Sequence, residues 1–254
     1  MEETEAKIQI YFNNVQGFGS KRSYFIQSEL AERFNLYIFQ ETKIKDNEFA
    51  KYKSDQGSTG LESILLAYDT PNTYIRGTLL AYNGKDIMVE ECANLFDQEF
   101  EISAVRVSSK RNFDSFYIFS MYKSPSIHTI PKNDDIFGRF CDFCNGFGGK
   151  KILLGDWNIS KGRNVIGRDE GRYLKMLEDH CGVKSRFKGP TRGDNQLDYV
   201  MSNFDLDCWL EPGLAGADHR AIGCEVDLTY QVEVLPPTWI RKKKAMKIDQ
   251  LDFV

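Results

Sequence analysis

The sequence predicts an α/β domain, and three observations carry that prediction. Two short, continuously apolar runs, Leu36-Tyr37-Ile38-Phe39 and Ile152-Leu153-Leu154, suit strands buried on both faces, and each stops at charged or turn-forming residues. The stretch from residue 63 to residue 122 reads mostly as further strands. Apolar residues at helical spacing recur over residues 24–34, 134–146 and 168–180. A chain of 254 residues is long enough for one sizeable core, and 41% hydrophobic with 28% charged residues is the balance of a soluble globular protein.

Taken in order, residues 1–7 are an acidic lead that is expected to fray. Ile8, Ile10 and Phe12 then alternate as a strand does, until the turn-forming run Asn13-Asn14-Val15-Gln16-Gly17-Phe18-Gly19-Ser20 breaks it. Residues 24–34 form a helix with Phe25, Leu30, Ala31 and Phe34 on one face, and the strand after it stops at Gln40-Glu41-Thr42-Lys43. Strands follow over residues 64–68, 74–82, 100–107 and 116–122. Turns such as Asn83-Gly84 favour antiparallel hairpins over βαβ units. Tyr122 ends the last strand before the proline-bearing loop Lys123-Ser124-Pro125-Ser126. The helix at 134–146 leads into the Ile152 strand, which ends in Gly155-Asp156-Trp157-Asn158. After the helix at 168–180 come the strands Leu197-Asp198-Tyr199-Val200-Met201 and Ala221 to Val226. Pro236-Pro237 closes the pattern, and five basic residues between Trp239 and Lys247 make residues 231–254 a basic exit linker.

Several polar residues stand where chemistry is possible. In an extended chain Asp156 and Asn158 share a face, which sets a carboxylate that can take a proton or a metal beside a neutral hydrogen-bond donor. Alone, the tetrapeptide also reads as a polar strand-to-loop transition. Glu41 repeats the theme of a carboxylate at a strand end. Asp198 lies inside an apolar run and needs a donor, since an unpartnered buried ion is costly. His219 is the natural partner, because His128 and His180 read as surface residues. Cys141 and Cys144 form a lone CxxC in a helical stretch and read as buried thiols; six unevenly spaced cysteines make no disulfide framework. A net charge of −4 does not favour nucleic acid, so that case must rest on local clusters: Lys21-Arg22, Lys43 and Lys45, Lys161 and Arg163, and the basic residues from Lys184 to Arg192. Without an eighteen-residue apolar run or a readable leader, no membrane association is expected and an intracellular location is.

The set carries a resemblance that no member does. Asn14-Val15-Gln16-Gly17, Gln40-Glu41-Thr42, Tyr122 with its proline loop, Gly155-Asp156-Trp157-Asn158, Leu197-Asp198-Tyr199 and Ala217-Asp218-His219 fall in the order of the endonuclease/exonuclease/phosphatase superfamily, over about residues 8 to 228. Tyr122 resembles the abasic-endonuclease branch, where the deoxyribonuclease-I and inositol-phosphatase branches have histidine. Gln16 departs from the aspartate of the repair enzymes. The Tyr-Lys-Ser-Pro-Ser loop is similar to the Tyr-x-Pro-Pro-Ser loop of non-LTR retrotransposon endonucleases, and the segment from Trp239 to Asp249 resembles the linker between endonuclease and reverse transcriptase in those polyproteins.

That resemblance implies a four-layered α/β sandwich, two packed mixed β-sheets flanked by helices, as a catalytic domain over residues 8–230. It also implies a LINE-type enzyme that nicks double-stranded DNA in the nucleus and is fused to a reverse transcriptase. Hard oxygen ligands from Glu41, Asn14 and Asp218 imply magnesium, with manganese as a substitute. By resemblance Asp156 orients or deprotonates the attacking water, Asn158 and His219 donate to phosphate oxygens, Asp198 orients His219, and Tyr122 adds a donor or aids the leaving group. The resemblance places Thr191 in the substrate cleft, and Arg192, Lys161 and Arg163 are expected from their basic clusters to bind substrate. The alternatives are an abasic-site repair endonuclease, a phosphatase of small phosphoesters, which Tyr122 argues against, and a catalytically dead DNA-binding module, which the full set of polar residues argues against.

Overall fold

A computed structural model describes residues 7–55, 60–67, 76–96, 99–111, 114–159 and 170–228. Residues 1–6, Lys161, Arg163 and the basic segment after residue 228 lie outside these.

Twelve strands form two six-stranded mixed sheets among the described residues. The first runs in the order β11 (Asp207–Glu211), β12 (Ala221–Asp227), β1 (Lys7–Asn14), β2 (Leu36–Gln40), β4 (Thr78–Tyr82), β3 (Glu62–Ala67). The second runs β5 (Ile87–Phe96), β6 (Phe100–Ser109), β7 (Ser115–Lys123), β8 (Lys151–Asp156), β10 (Asp198–Ser202), β9 (Lys184–Ser185). Three apolar clusters define the layers. Ile10, Phe12, Ile38, Leu80 and Ile222 of the first sheet meet Val105, Ile118, Ile152, Leu154 and Val200 of the second between the sheets. Outside the second sheet, Phe119, Leu153 and Tyr199 pack on Phe137, Phe140 and Leu177 of α4 (Ile130–Asn145) and α5 (Glu170–Cys181). Outside the first, Tyr11, Tyr37 and Phe39 pack on Phe25 and Ala31 of α1 (Arg22–Gln27) and α2 (Leu30–Arg33), and on Tyr52 of α3 (Asp46–Asp55). The strand runs are apolar on both faces because each sheet is covered twice. This is the four-layered sandwich.

Among the described residues two strand pairs are parallel, β1 with β2 and β7 with β8, and helices make both crossovers. The carboxyl ends of these four strands lie at one edge of the sandwich, the end where open α/β sheets place their ligands. Gln40 registers the sheets there. From the end of β2 its Nε2 donates to Ser120 Oγ on β7 (2.7 Å), and its Oε1 accepts from the N–H of Asp156 on β8 (2.9 Å).

Several elements differ from the sequence reading. The helix expected over 24–34 divides at Ser28, whose backbone is extended (φ −90°, ψ 152°) and whose hydroxyl donates to the carbonyl of Phe25, a local bond that competes with the helix. Asn83-Gly84 joins strands of different sheets, β4 and β5, so it is a crossover and not a hairpin. Strand β5 was not foreseen. As an edge strand with a bulge between Glu91 and Ala93 it buries Ile87 and Val89 but exposes Glu90, Glu91 and Cys92, so the alternation fails. The short β9 and β11 also escaped notice. Cys141 and Cys144 are free and buried, as expected.

Gly155 is required by close approach. Its φ is +148°, and a Cβ there would stand 1.8 Å from the carbonyl oxygen of Met121 on β7. Gly155→Ala is expected to cost on the order of 2–4 kcal/mol and to displace Asp156. Urea unfolding tests this: a midpoint equal to wild type would refute the close approach.

Candidate active site

Each of the four parallel strands delivers one polar side chain to the shared edge: Asn14 from β1, Glu41 just past β2, Tyr122 from β7 and Asp156 from β8. Asn14 joins the two sheets, with its Nδ2 donating to Glu41 Oε1 and to Asp156 Oδ2, both at 2.9 Å. It therefore presents its amide nitrogen to the carboxylates, while its oxygen accepts from the N–H of Gln16. Glu41 sits in the left-handed region (φ +52°), as does Asn158 (φ +49°). Such backbone costs on the order of 1–3 kcal/mol per residue, and it is retained here where a strand must turn at once to aim a side chain inward. Because Asn158 is left-handed, it does not share an extended face with Asp156. Its N–H donates to Asp156 Oδ1 (3.2 Å), and its Nδ2 donates to the carbonyl of Lys123 (2.9 Å), holding the segment that carries Tyr122.

The other half arrives on antiparallel strands. Asp198 opens β10 directly opposite Asp156. His219 precedes β12, and its carbonyl accepts from Asn13 Nδ2 (3.2 Å), while Asn13 Oδ1 accepts from the N–H of Leu214. Asn13, unremarked in the sequence, thus ties the histidine loop to β1. His219 Nδ1 lies 2.7 Å from Asp198 Oδ2, which places Nε2 toward Asp156, 4.0 Å from its Oδ2. The expected Asp198–His219 pair is formed. Tyr122 Oη, Asp198 Oδ1 and His219 Nε2 are all buried without a hydrogen-bond partner. Buried polar atoms are rarely orphaned, and three on residues of this one edge suit a ligand that satisfies them.

Electrostatics follows from the crowding. Burial, then the charges of Asp198 and Glu41, push the Asp156 carboxyl up to about 8, against the opposing pull of His219 and Asn14. For His219 burial opposes the charge, but the hydrogen bond to Asp198 and the charges of Asp198, Asp156 and Asp218 outweigh it and hold the ring up to about 9. Burial and the nearby carboxylates of Glu41 and Asp156 raise the Tyr122 phenol, which stays a donor at neutral pH. The raised His219 makes a stability prediction. Its contribution is complete below the ordinary value of about 6.5 and is lost as pH rises through about 9, so in chelator the loss of melting temperature in His219→Gln should be largest below pH 6.5 and shrink toward pH 9. A loss independent of pH would contradict the charged ring.

The remaining sequence candidates lie further out. Asp218 is exposed and bound to Arg192 at 2.6 Å, so both occupy the rim. Thr191 is fully buried, its hydroxyl accepting from the N–H groups of Leu197 and Asp198 at 3.1 Å; it shapes the loop behind Asp198. Lys161 and Arg163 lie outside the described residues. Arg76 was missed: it precedes β4 without any motif around it, and its guanidinium reaches Glu41 Oε2 at 3.1 Å. Gln40, beside Glu41 in the sequence, signals its role in joining the sheets only by its position at the strand end.

No family model matches the chain, and no curated protein matches it. Solved structures do. The endonuclease domain of TRAS1, a telomere-specific non-LTR retrotransposon, superimposes with a TM-score of 0.62 at 13% identity over 88% of this chain and 100% of that one. An AP endonuclease, LMAP, from Leishmania major gives 0.64 at 13% identity over 89% of each chain. An endonuclease/exonuclease/phosphatase family protein from Bacteroides thetaiotaomicron gives 0.58 at 11% identity over 89% of this chain and 98% of that one. With two six-stranded sheets between helical layers and its polar side chains gathered at one sheet edge, the chain has the endonuclease/exonuclease/phosphatase fold.

Proposed function

We propose that the protein is a metal-dependent endonuclease that nicks intact duplex DNA by phosphodiester hydrolysis and leaves a 3′ hydroxyl able to prime reverse transcription of a retrotransposon. The observation that carries this reading is the Asp198–His219–Asp156 array beside the Glu41–Asn14 pair, with Tyr122 Oη, Asp198 Oδ1 and His219 Nε2 buried and unsatisfied. The fold shared with the TRAS1 endonuclease domain and an AP endonuclease supports it.

The donor set fits a divalent ion. Glu41 and Asp156 are both buried carboxylates, each 2.9 Å from Asn14 Nδ2, which sets their oxygens close together. Carboxylate oxygens suit Mg²⁺, with Mn²⁺ as substitute, and Glu41 with Asp156 would hold it. A bound ion there supplies charge neutralisation at the phosphate and the leaving oxygen. The protein's own groups do the rest. Asp156, bonded to Asn14 at 2.9 Å and opposite Asp198 across the strand pair, accepts the proton of the attacking water. His219, held cationic by Asp198, donates from Nε2 to a non-bridging oxygen as negative charge grows on phosphorus. Tyr122 Oη donates toward the departing 3′ oxygen. Asn158 holds the Lys123 carbonyl and so keeps Tyr122 in place. Arg192 at the rim meets the flanking backbone, and Asp218, proposed from the sequence as a metal ligand, is held by Arg192 at 2.6 Å. Fusion to a reverse transcriptase follows the linker resemblance, and the nucleus is where such an enzyme meets its substrate.

Supercoiled plasmid should relax in Mg²⁺ and remain intact in chelator. Labelled intact and abasic duplexes of one sequence, at equal concentration and fixed salt, separate the retrotransposon reading from repair. Nicks in intact DNA at a restricted set of sites are expected, since flexible pyrimidine–purine steps are the easiest to distort. A preference of about a thousandfold or more for the abasic strand, over 4 kcal/mol of discrimination, would place the enzyme in repair.

A further inference from the structure

Arg76 stands at the base of the site on a purpose-built support. Its N–H donates to one oxygen of the buried Glu101 carboxylate, and the N–H of Gly77 donates to the other at 3.1 Å. The carbonyls of Arg76 and Gly77 accept from the N–H groups of Lys43 (2.7 Å) and Thr42 (3.1 Å), so this backbone is bonded to the two residues that follow Glu41. From that support the guanidinium reaches Glu41 Oε2 at 3.1 Å and lies 4.7 Å from the centre of the Tyr122 ring. The Arg76 side chain is 27% exposed, against 7% for Glu41, so it is the outer member of the pair.

Stability alone does not account for this placement, since desolvation of a half-buried ion pair offsets most of its attraction. Function can. Glu41 is a carboxylate the divalent ion would use, and a guanidinium and a divalent cation compete for the same negative charge. A planar guanidinium fork is also the side chain best matched to phosphate oxygens, and a DNA strand entering the site offers it that partner.

We propose that Arg76 is a phosphate-binding residue of the nuclease: it neutralises Glu41 in the ion-free enzyme and turns to a phosphate oxygen of the bound strand once a divalent ion takes Glu41. The proposal rests on the nuclease reading. It separates from a purely structural role by requiring opposite effects on two ligands. Removing the competing cation tightens the metal, and removing a phosphate contact weakens DNA.

The test uses Arg76→Met and Arg76→Gln, with folding checked by circular dichroism. Mn²⁺ binding is followed by the paramagnetic resonance of the free ion. Affinity for a duplex bearing a non-hydrolysable linkage is measured by fluorescence anisotropy in Mn²⁺ over a salt series. Mn²⁺ should bind roughly 3- to 10-fold more tightly, and the duplex about 10-fold more weakly, with the logarithmic salt slope reduced by about one. Weaker Mn²⁺ binding, or unchanged duplex affinity and slope in a folded variant, would overturn the role; if Arg76→Met does not fold, Arg76→Gln decides by the same criteria. Wild-type protein that neither binds nor nicks duplex in Mn²⁺ would sink the nuclease reading itself. Active wild type with unaltered variants would sink only the role of Arg76.

Discussion

On the proposed nuclease function, His219→Ala should lower the nicking rate by about 10³-fold or more while leaving the protein folded. The expectation follows from where the ring sits. It is buried, held by Asp198 at 2.7 Å, and its Nε2 has no hydrogen-bond partner among the described residues, with Asp156 Oδ2 4.0 Å away. A preorganised cationic donor aimed at developing charge contributes about 10²–10³ in rate in sites of this kind. Loss of the ring also unbalances Asp198 and Asp156, whose carboxylates would then face each other across a buried space with the cation gone. The measurement is single-turnover nicking at saturating Mg²⁺, with melting temperature recorded beside it. A folded His219→Ala protein within tenfold of wild type would remove His219 from the chemistry.

Asp198→Asn is the second large effect, with a loss of about 10²-fold or more. The amide keeps the size of the carboxylate and can keep one hydrogen bond to Nδ1, so fold and duplex affinity should persist. What changes is charge. Without the carboxylate, burial acts on His219 with less opposition, and the ring should titrate well below the wild-type value of about 9. Two readings are needed. Histidine NMR reports the titration, and the pH profile of the residual rate should follow it. A variant whose ring still titrates near 9 but whose rate is lost would mean that Asp198 acts by geometry alone; one that unfolds at ordinary temperature would make Asp198 chiefly structural.

Much of the fold was legible because its strands carry strong local signals. Leu36–Gln40 and Lys151–Asp156 are buried on both faces, and such strands announce themselves as unbroken apolar runs. Helices α4 and α5 followed from helical spacing. Edge elements did not follow. Strand β5 faces solvent along most of its length, and β9 has two residues, so neither leaves a pattern to read. The division at Ser28 was hidden for a related reason, since a single side-chain bond decided it and the apolar spacing on either side stayed helical.

The sequence by itself marked the polar residues that gather at the site edge. Asp156, Asn158, Glu41, Tyr122, Asp198 and His219 stand at strand ends or inside apolar runs, where a polar side chain must be either satisfied or used, and each one lies at the site edge in the structure. Only the tertiary structure decided which of them meet and through which atoms. That Asn14 turns its nitrogen to two carboxylates, that Asn158 bends left-handed to brace Lys123, that Thr191 is buried behind Asp198, and that Arg192 closes on Asp218 are contacts between residues distant in sequence. Arg76 is the clearest case. Its neighbours in the chain carry no motif, and its partners Glu41, Glu101 and Tyr122 come from β6 and the ends of β2 and β7, so its place beside the carboxylates exists only once both sheets have packed. A local pattern records what a side chain needs from water or from its own strand; which distant group meets that need is set by sheet order and register.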